Sequence, residues 1–196
     1  MAEALIGGSG MPVPALGGAR SEGFAAVDEL PIRAMLAVRG DLGSQAVHDA
    51  VRAAAGTDLP DRLSLVRDGE ALTCWMSPDE LLSILPWDRR ADALEALSST
   101  LGDDALVADV SDMRSAFRVS GPASRDVLAK LVPLDLSPDA FGPHAFRRTR
   151  LGQVAAALWT DADGRGFDVV CMRSQARYAF DLLSNAARHG EVGFHR

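Results

Sequence analysis

Asp109-Val-Ser-Asp-Met-Arg-Ser-Ala-Phe-Arg-Val-Ser-Gly-Pro-Ala-Ser-Arg-Asp-Val-Leu-Ala-Lys-Leu131 decides the fold. It reads as strand, sharp turn and helix. Phe117 and Val119 are set among Ser115, Arg118 and Ser120, which predicts a strand over Ser115 to Ser120. Ser120-Gly121 offers an N-cap, and Pro122 suits a first helical position, where its missing N–H costs nothing. Ala123, Val127 and Leu131 then recur every four residues on one helix face.

Upstream, the pattern predicts a buried strand over Arg33 to Arg39 and a helix over Ser44 to Ala55. Leu63 to Arg67 and Ala71 to Met76 flank Asp68-Gly69, a two-residue hairpin signal. Ser77-Pro-Asp-Glu80 has the form of a capping box and predicts a helix carrying Leu81, Leu82 and Leu85. A second helix follows Pro86 with Ala91, Leu94, Leu97 and Leu101, and then a strand over Ala105 to Val110. Downstream, Gln153 to Trp159 and Phe167 to Met172 predict a hairpin, and Ser174 to Arg188 a helix with Ala179, Leu182, Leu183 and Ala186 on one face.

The halves echo each other. Cys74-Trp-Met-Ser-Pro-Asp-Glu-Leu-Leu-Ser-Ile-Leu85 aligns without gaps on Cys171-Met-Arg-Ser-Gln-Ala-Arg-Tyr-Ala-Phe-Asp-Leu182, and Ala37-Val-Arg-Gly40 on Arg118-Val-Ser-Gly121. The expectation is an α+β fold of tandem βαββα, ferredoxin-like units in a pseudo-twofold arrangement. One domain over 31–188 would contain repeats at about 31–110 and 111–188, followed by a tail at 189–196. Residues 1–30 differ in character. Leu5 to Gly23 is rich in Gly, Pro and Ala and keeps no period, which predicts an extended N-terminal arm lying on a partner subunit.

A chain of 196 residues can bury a real core without disulfides or metal. Its formal charge of −7 repels phosphate backbones, so no nucleic acid is expected as a partner. The basic residues are nearly all Arg; Lys130 is the only lysine and falls near the end of an amphipathic helix, which argues against Schiff-base chemistry. Cys74 and Cys171 sit in apolar runs and read as buried thiols of a reducing cytosol. Met1-Ala-Glu-Ala lacks a basic n-region, and no stretch approaches the ~20 apolar residues of a membrane span, so a cytoplasmic protein with no membrane contact is expected.

Chemical motifs are sparse. His48, His144, His189 and His195 show no metal-ligand spacing, and His189 suits the end of the last helix. Gly7-Gly-Ser-Gly10 lacks the preceding strand and following Lys-Ser/Thr of a phosphate loop. Asp161-Ala-Asp163-Gly-Arg-Gly166 has its glycine too early for a calcium loop and reads as a polar turn. Neither a dinucleotide fingerprint nor a nucleophile elbow is present in the sequence. Arg147, Arg148 and Arg150 cluster just before a strand, either as a solvated edge or as a salt-bridging patch for an acidic partner surface. Trp87, between two helices, is the tryptophan placed at an interface.

Three stretches carry a family resemblance: Asp109 to Pro122, Asp135-Leu-Ser-Pro138, and Phe167-Asp-Val-Val-Cys-Met-Arg-Ser174. They resemble the aminomethyltransferase-type, folate-handling fold, and most closely the gamma-subunit family of heterotetrameric sarcosine oxidases, over roughly Arg33 to Arg188. The resemblance implies a non-catalytic subunit assembled with alpha, beta and delta subunits, chiefly alpha. It implies a complex that oxidatively demethylates sarcosine to glycine, releasing formaldehyde or methylene-tetrahydrofolate, with hydrogen peroxide. FAD, FMN and NAD are then expected in alpha and beta, zinc in delta and the tetrahydrofolate domain in alpha, with none in this chain. No catalytic, cofactor-binding or metal residue is carried over; Asp109 and Asp112 lie where a folate-binding acid would, without the rest of such an enzyme. The alternative is a stand-alone folate-binding or aminomethyl-transfer protein.

Overall fold

The computed structural model describes residues 12–161 and 164–188. Gly7–Gly10, Asp163, His189, His195 and the expected tail lie outside the described residues. In chain order the first elements are β1 (Arg20–Ser21), β2 (Ala26–Glu29), β3 (Ala34–Gly40), α1 (Gln45–Ala55), β4 (Leu65–Asp68), β5 (Ala71–Ser77) and β6 (Glu80–Leu85). Then come α2 (Arg90–Leu101), β7 (Ala105–Asp109), β8 (Arg114–Ser120), α3 (Ser124–Ala129), β9 (Phe146–Leu151), β10 (Val154–Thr160), β11 (Gly166–Met172) and α4 (Ala176–Arg188). The fold is α+β, as expected. It divides into two compact units: unit 2 holds Arg33–Asp112 with His144–Arg147, and unit 1 the remainder.

Unit 2 is a five-stranded antiparallel sheet, order β4-β5-β6-β3-β7. Leu36 and Val38 of β3 and Leu81 and Leu85 of β6 pack with Val51 of α1 and Leu97 of α2, all at most 1% exposed. β4 and β5 form the expected hairpin, with Asp68 opposite Ala71 and therefore Gly69-Glu70 at the turn. Gly40 ends β3 without a Cβ because one there would lie 2.8 Å from the Cβ of Ala105 and 3.0 Å from the carbonyl oxygen of Asp104.

Unit 1 is a six-stranded sheet, order β1-β2-β8-β11-β10-β9. Phe117 and Val119 of β8 are fully buried, and the Phe117 ring stands 6.2 Å from that of Phe180 on α4. Phe141 and Phe167 pair at 5.6 Å.

Several expectations are corrected. Glu80–Leu85 is strand β6, not a helix. Leu81, Leu82, Ile84 and Leu85 are all buried, as in a central strand covered on both faces; a short apolar run cannot distinguish that from a helix by period. The Ser77 hydroxyl donates to Asp79 Oδ1 at 2.6 Å inside the β5–β6 turn rather than capping a helix. Ser120 caps nothing either: α3 begins at Ser124, whose N–H donates to Gly121 O at 3.1 Å, and Gly121 turns the chain at φ 106°.

The gapless cysteine match falls with the lost helix. Val38 lies between Leu81 and Val107, as Val119 lies between Phe167 and Val27. Cys74, opposite Leu82, therefore corresponds to Trp159, opposite Asp168, and not to Cys171. The Ala37–Gly40 echo does match the topology. Each unit runs strand, helix, three strands, helix, one strand more than βαββα, and β2 in unit 1 takes the place that β7 takes in unit 2.

The arm is also corrected over Leu16–Glu29. β2 pairs with β8, Val27 is fully buried, and the Glu29 carboxylate accepts the N–H groups of Leu16 and Gly18 at 3.0 and 2.8 Å. The N–H of Phe24 donates to Ala187 O at 2.6 Å. A four-residue strand whose partner lies about ninety residues on leaves no local period.

Candidate functional site

In unit 2 the side chains of Trp87, Arg90 and Asp109 form one stack. Trp87 opens a short 3-10 turn after Pro86 and is half-buried. The turn runs into α2, whose first residue, Arg90, places its guanidinium 4.9 Å from the Trp87 ring centroid. Its Nε donates to Asp109 Oδ2 at the end of β7. Asp109 Oδ1 also accepts the Ser111 N–H at 3.0 Å and the Ser111 hydroxyl at 2.6 Å. Burial pushes the Asp109 carboxyl up, but the bonds from Ser111 and Arg90 outweigh it and hold it below the usual range. Asp109 is thus committed to the fold, and Asp112 is exposed in the next turn.

The Arg cluster lies within a strand, not before one. Phe146 and Leu151 of β9 are buried, whereas Arg148 and Arg150 are exposed. Arg150 Nη2 reaches Gln153 Oε1 across the next turn at 3.1 Å. Arg147 Nη1 donates to Leu63 O at 2.6 Å. Trp87, Arg147, Arg148 and Arg150 thus do not share one stack: Trp87 joins Arg90 and Asp109, and the arginines line β9.

The signature stretch Asp135–Pro138 lines a groove of about 510 Å³ in unit 1, together with Arg125, Asp126 and Ala129 of α3. Two of its polar groups are bonded within the fold. Arg125 lies 5.0 Å over the Phe167 ring and donates to Leu136 O and Phe141 O. Asp135 Oδ1 accepts the Ser137 N–H at 2.9 Å, which holds the carboxyl below its usual range.

Arg118 and Asp168 form a two-pronged ion pair at 2.7 and 2.9 Å across β8 and β11. Each is visible in the sequence; only the strand register brings them opposite. Cys74 and Cys171 are buried thiols. Burial pushes Cys171 up to about 11 and Cys74 further. His48 Nε2 lies 3.1 Å from Leu42 O at the surface. Among the described residues no three of His, Cys, Asp and Glu come together as metal ligands, and no helix is long and apolar enough to cross a membrane. The surfaces described are a Trp–Arg stack, an Arg-bearing strand and a groove lined in part by Asp135–Pro138.

The model of the sarcosine oxidase, gamma subunit family matches residues 39–189. The sarcosine oxidase subunit gamma of Arthrobacter sp. is 36% identical over 140 residues, covering 70% of this chain and 68% of its own. That of Corynebacterium sp. strain P-1 is 39% identical over 127 residues, 63% of this chain and 59% of its own. A chain of the heterotetrameric sarcosine oxidase from Corynebacterium sp. U-96, solved with pyrrole 2-carboxylate, superposes with TM-score 0.77 at 28% identity, over 89% of this chain and 91% of that one. Aminomethyltransferase T of the glycine cleavage system from Bartonella henselae shares the fold at TM-score 0.57 and 14% identity, over 88% of this chain and 50% of its own. With its fold and all three signature stretches inside the matched residues, the chain belongs to the sarcosine oxidase gamma subunit family.

Proposed function

We propose that the chain is a structural, non-catalytic gamma subunit, which assembles with alpha, beta and delta subunits, chiefly alpha, into a sarcosine oxidase. The observation that carries this reading is the superposition on the heterotetrameric oxidase over nearly the whole of both chains. As a gamma subunit it serves an oxidoreductase whose redox work lies in other chains. In this reading FAD, FMN and NAD sit in alpha and beta, zinc in delta, and tetrahydrofolate on alpha. Sarcosine is demethylated to glycine there, with formaldehyde or methylene-tetrahydrofolate and hydrogen peroxide as products, in the cytoplasm.

Trp87, Arg148 and Arg150, with Arg147 beside them, are the contact residues of this reading. Exposed arginines on one strand face suit carboxylates of a partner through two-pronged bonds, and Trp and Arg are enriched where interfaces concentrate their energy.

Co-expression with the other three subunits and native mass spectrometry tests this. The expected result is one copy of this chain per complex, with the isolated chain colourless and producing no sarcosine-dependent peroxide. Flavin absorbance or peroxide from the isolated chain overturns it. Tetrahydrofolate binding by the isolated chain would favour the stand-alone folate protein instead.

A further inference from the structure

The two edges of the unit 2 sheet are treated differently. Beside β4 the chain covers its own edge: the N–H of Leu65 donates to His144 O at 2.9 Å, that of Phe146 to Leu63 O at 3.1 Å, and Ser64 bridges Ala145. At the other side the sheet ends on β7, with no further strand among the described residues. In unit 1 the strand at the same topological position is β2, and there β1 adds to it, with Arg20 opposite Asp28 and Ser21 opposite Val27.

The backbone of β7 is set up to take such an addition. The Val110 N–H donates to Met35 O at 2.8 Å, and Leu36 stands opposite Asp109. Antiparallel pairing alternates, so Leu106 and Ala108 direct their backbone groups to β3, and Ala105, Val107 and Asp109 direct theirs outward. Uncovered edges are ordinarily blunted by proline, lysine or a bulge. Ala105-Leu-Val-Ala-Asp109 has none of these, and its one charge is bound by Arg90. Leu106 is 66% exposed. Exposed Asp103 and Asp104 precede the strand, and exposed Asp92 and Glu95 lie on α2, which packs beside it. The half-buried Trp87, stacked on Arg90, stands at the far end.

We propose that β7 is a strand-addition site that takes an extended segment of another subunit, one apolar residue meeting Leu106 and Lys or Arg residues meeting Asp103 and Asp104. This rests on the reading of the chain as a subunit of the oxidase. Main-chain bonds would supply affinity and the flanking side chains specificity.

Hydrogen–deuterium exchange on the full chain, alone and in the co-expressed complex, tests it. The amides of Ala105, Val107 and Asp109 should exchange rapidly in isolation and slow by about tenfold or more on assembly. Val107→Pro removes an outward N–H and leaves the bonds to β3; Leu106→Asp changes an exposed side chain. Both should keep the circular dichroism of the parent and lower recovery in the complex by about tenfold. Should Val107→Pro unfold the chain, Leu106→Asp and the exchange experiment still decide. A complex that forms with these amides unprotected overturns the site while leaving the subunit reading intact. Protection in a dimer of the isolated chain assigns the edge to a second copy and overturns it also. No assembly at all by the parent chain fails the subunit reading, and the site with it.

Discussion

At the scale of single residues, chemistry is directed inward. Asp109 has a folded-state pKa below its unfolded one, so its stabilisation is complete above about pH 4 and is lost as the pH falls through the folded value. Asp109→Asn should lower stability at pH 7 and flatten the acid limb of a stability-against-pH curve relative to the parent; equal acid limbs would remove Asp109 as a contributor. Cys171 is raised to about 11 by burial and Cys74 is raised further, so neither forms thiolate at pH 8. Both should resist a disulfide reagent in the native protein and react together on unfolding, which a timed thiol titration checks. Gly40→Ala forces β3 and β7 apart at a contact of 2.8 Å and should cost about 1–3 kcal/mol by denaturant melting.

At the scale of elements, the sequence was legible where the period was local and unbroken. β8, α2, β10 and α4 lie where alternation or a helical stripe predicts them, within a few residues. It misled where period and burial diverge. Leu81, Leu82 and Leu85 have helical spacing, and even with Ile84 buried as well the four would fit one helix face, so period alone could not separate a helix from a strand covered on both faces. β2 was hidden because its partner β8 is remote in sequence, and β9 because alternating arginines mask its two buried ends. The site followed the same rule. Trp87 and the arginines could be picked out by residue type, but the links Arg90–Asp109 and Arg118–Asp168 exist only once strands are paired. Asp168 is buried and Arg118 partly exposed, so Arg118→Met should cost about 1–3 kcal/mol by leaving a carboxylate with fewer donors. A smaller loss for the double variant Arg118→Met, Asp168→Leu than for Arg118→Met alone would confirm that mechanism.

At the scale of the whole molecule, the N-terminal segment decides what can be removed. Residues 16–29 supply β1, β2 and the Glu29 bonds, and Val27 and Ala25 are buried in unit 1. β2 shields one side of β8, whose Phe117 and Val119 form the centre of that core. Removing residues 1–29 therefore strips a paired edge and exposes apolar surface worth roughly 25 cal/mol per Å². The truncated chain should lose cooperative melting in unit 1 and expose β8 to aggregation. Calorimetry on the truncated and full-length chains checks this. A cooperative, soluble chain beginning at residue 30 would mean that β2 only rests on a sheet already complete at β8, and that the segment serves assembly and not the fold.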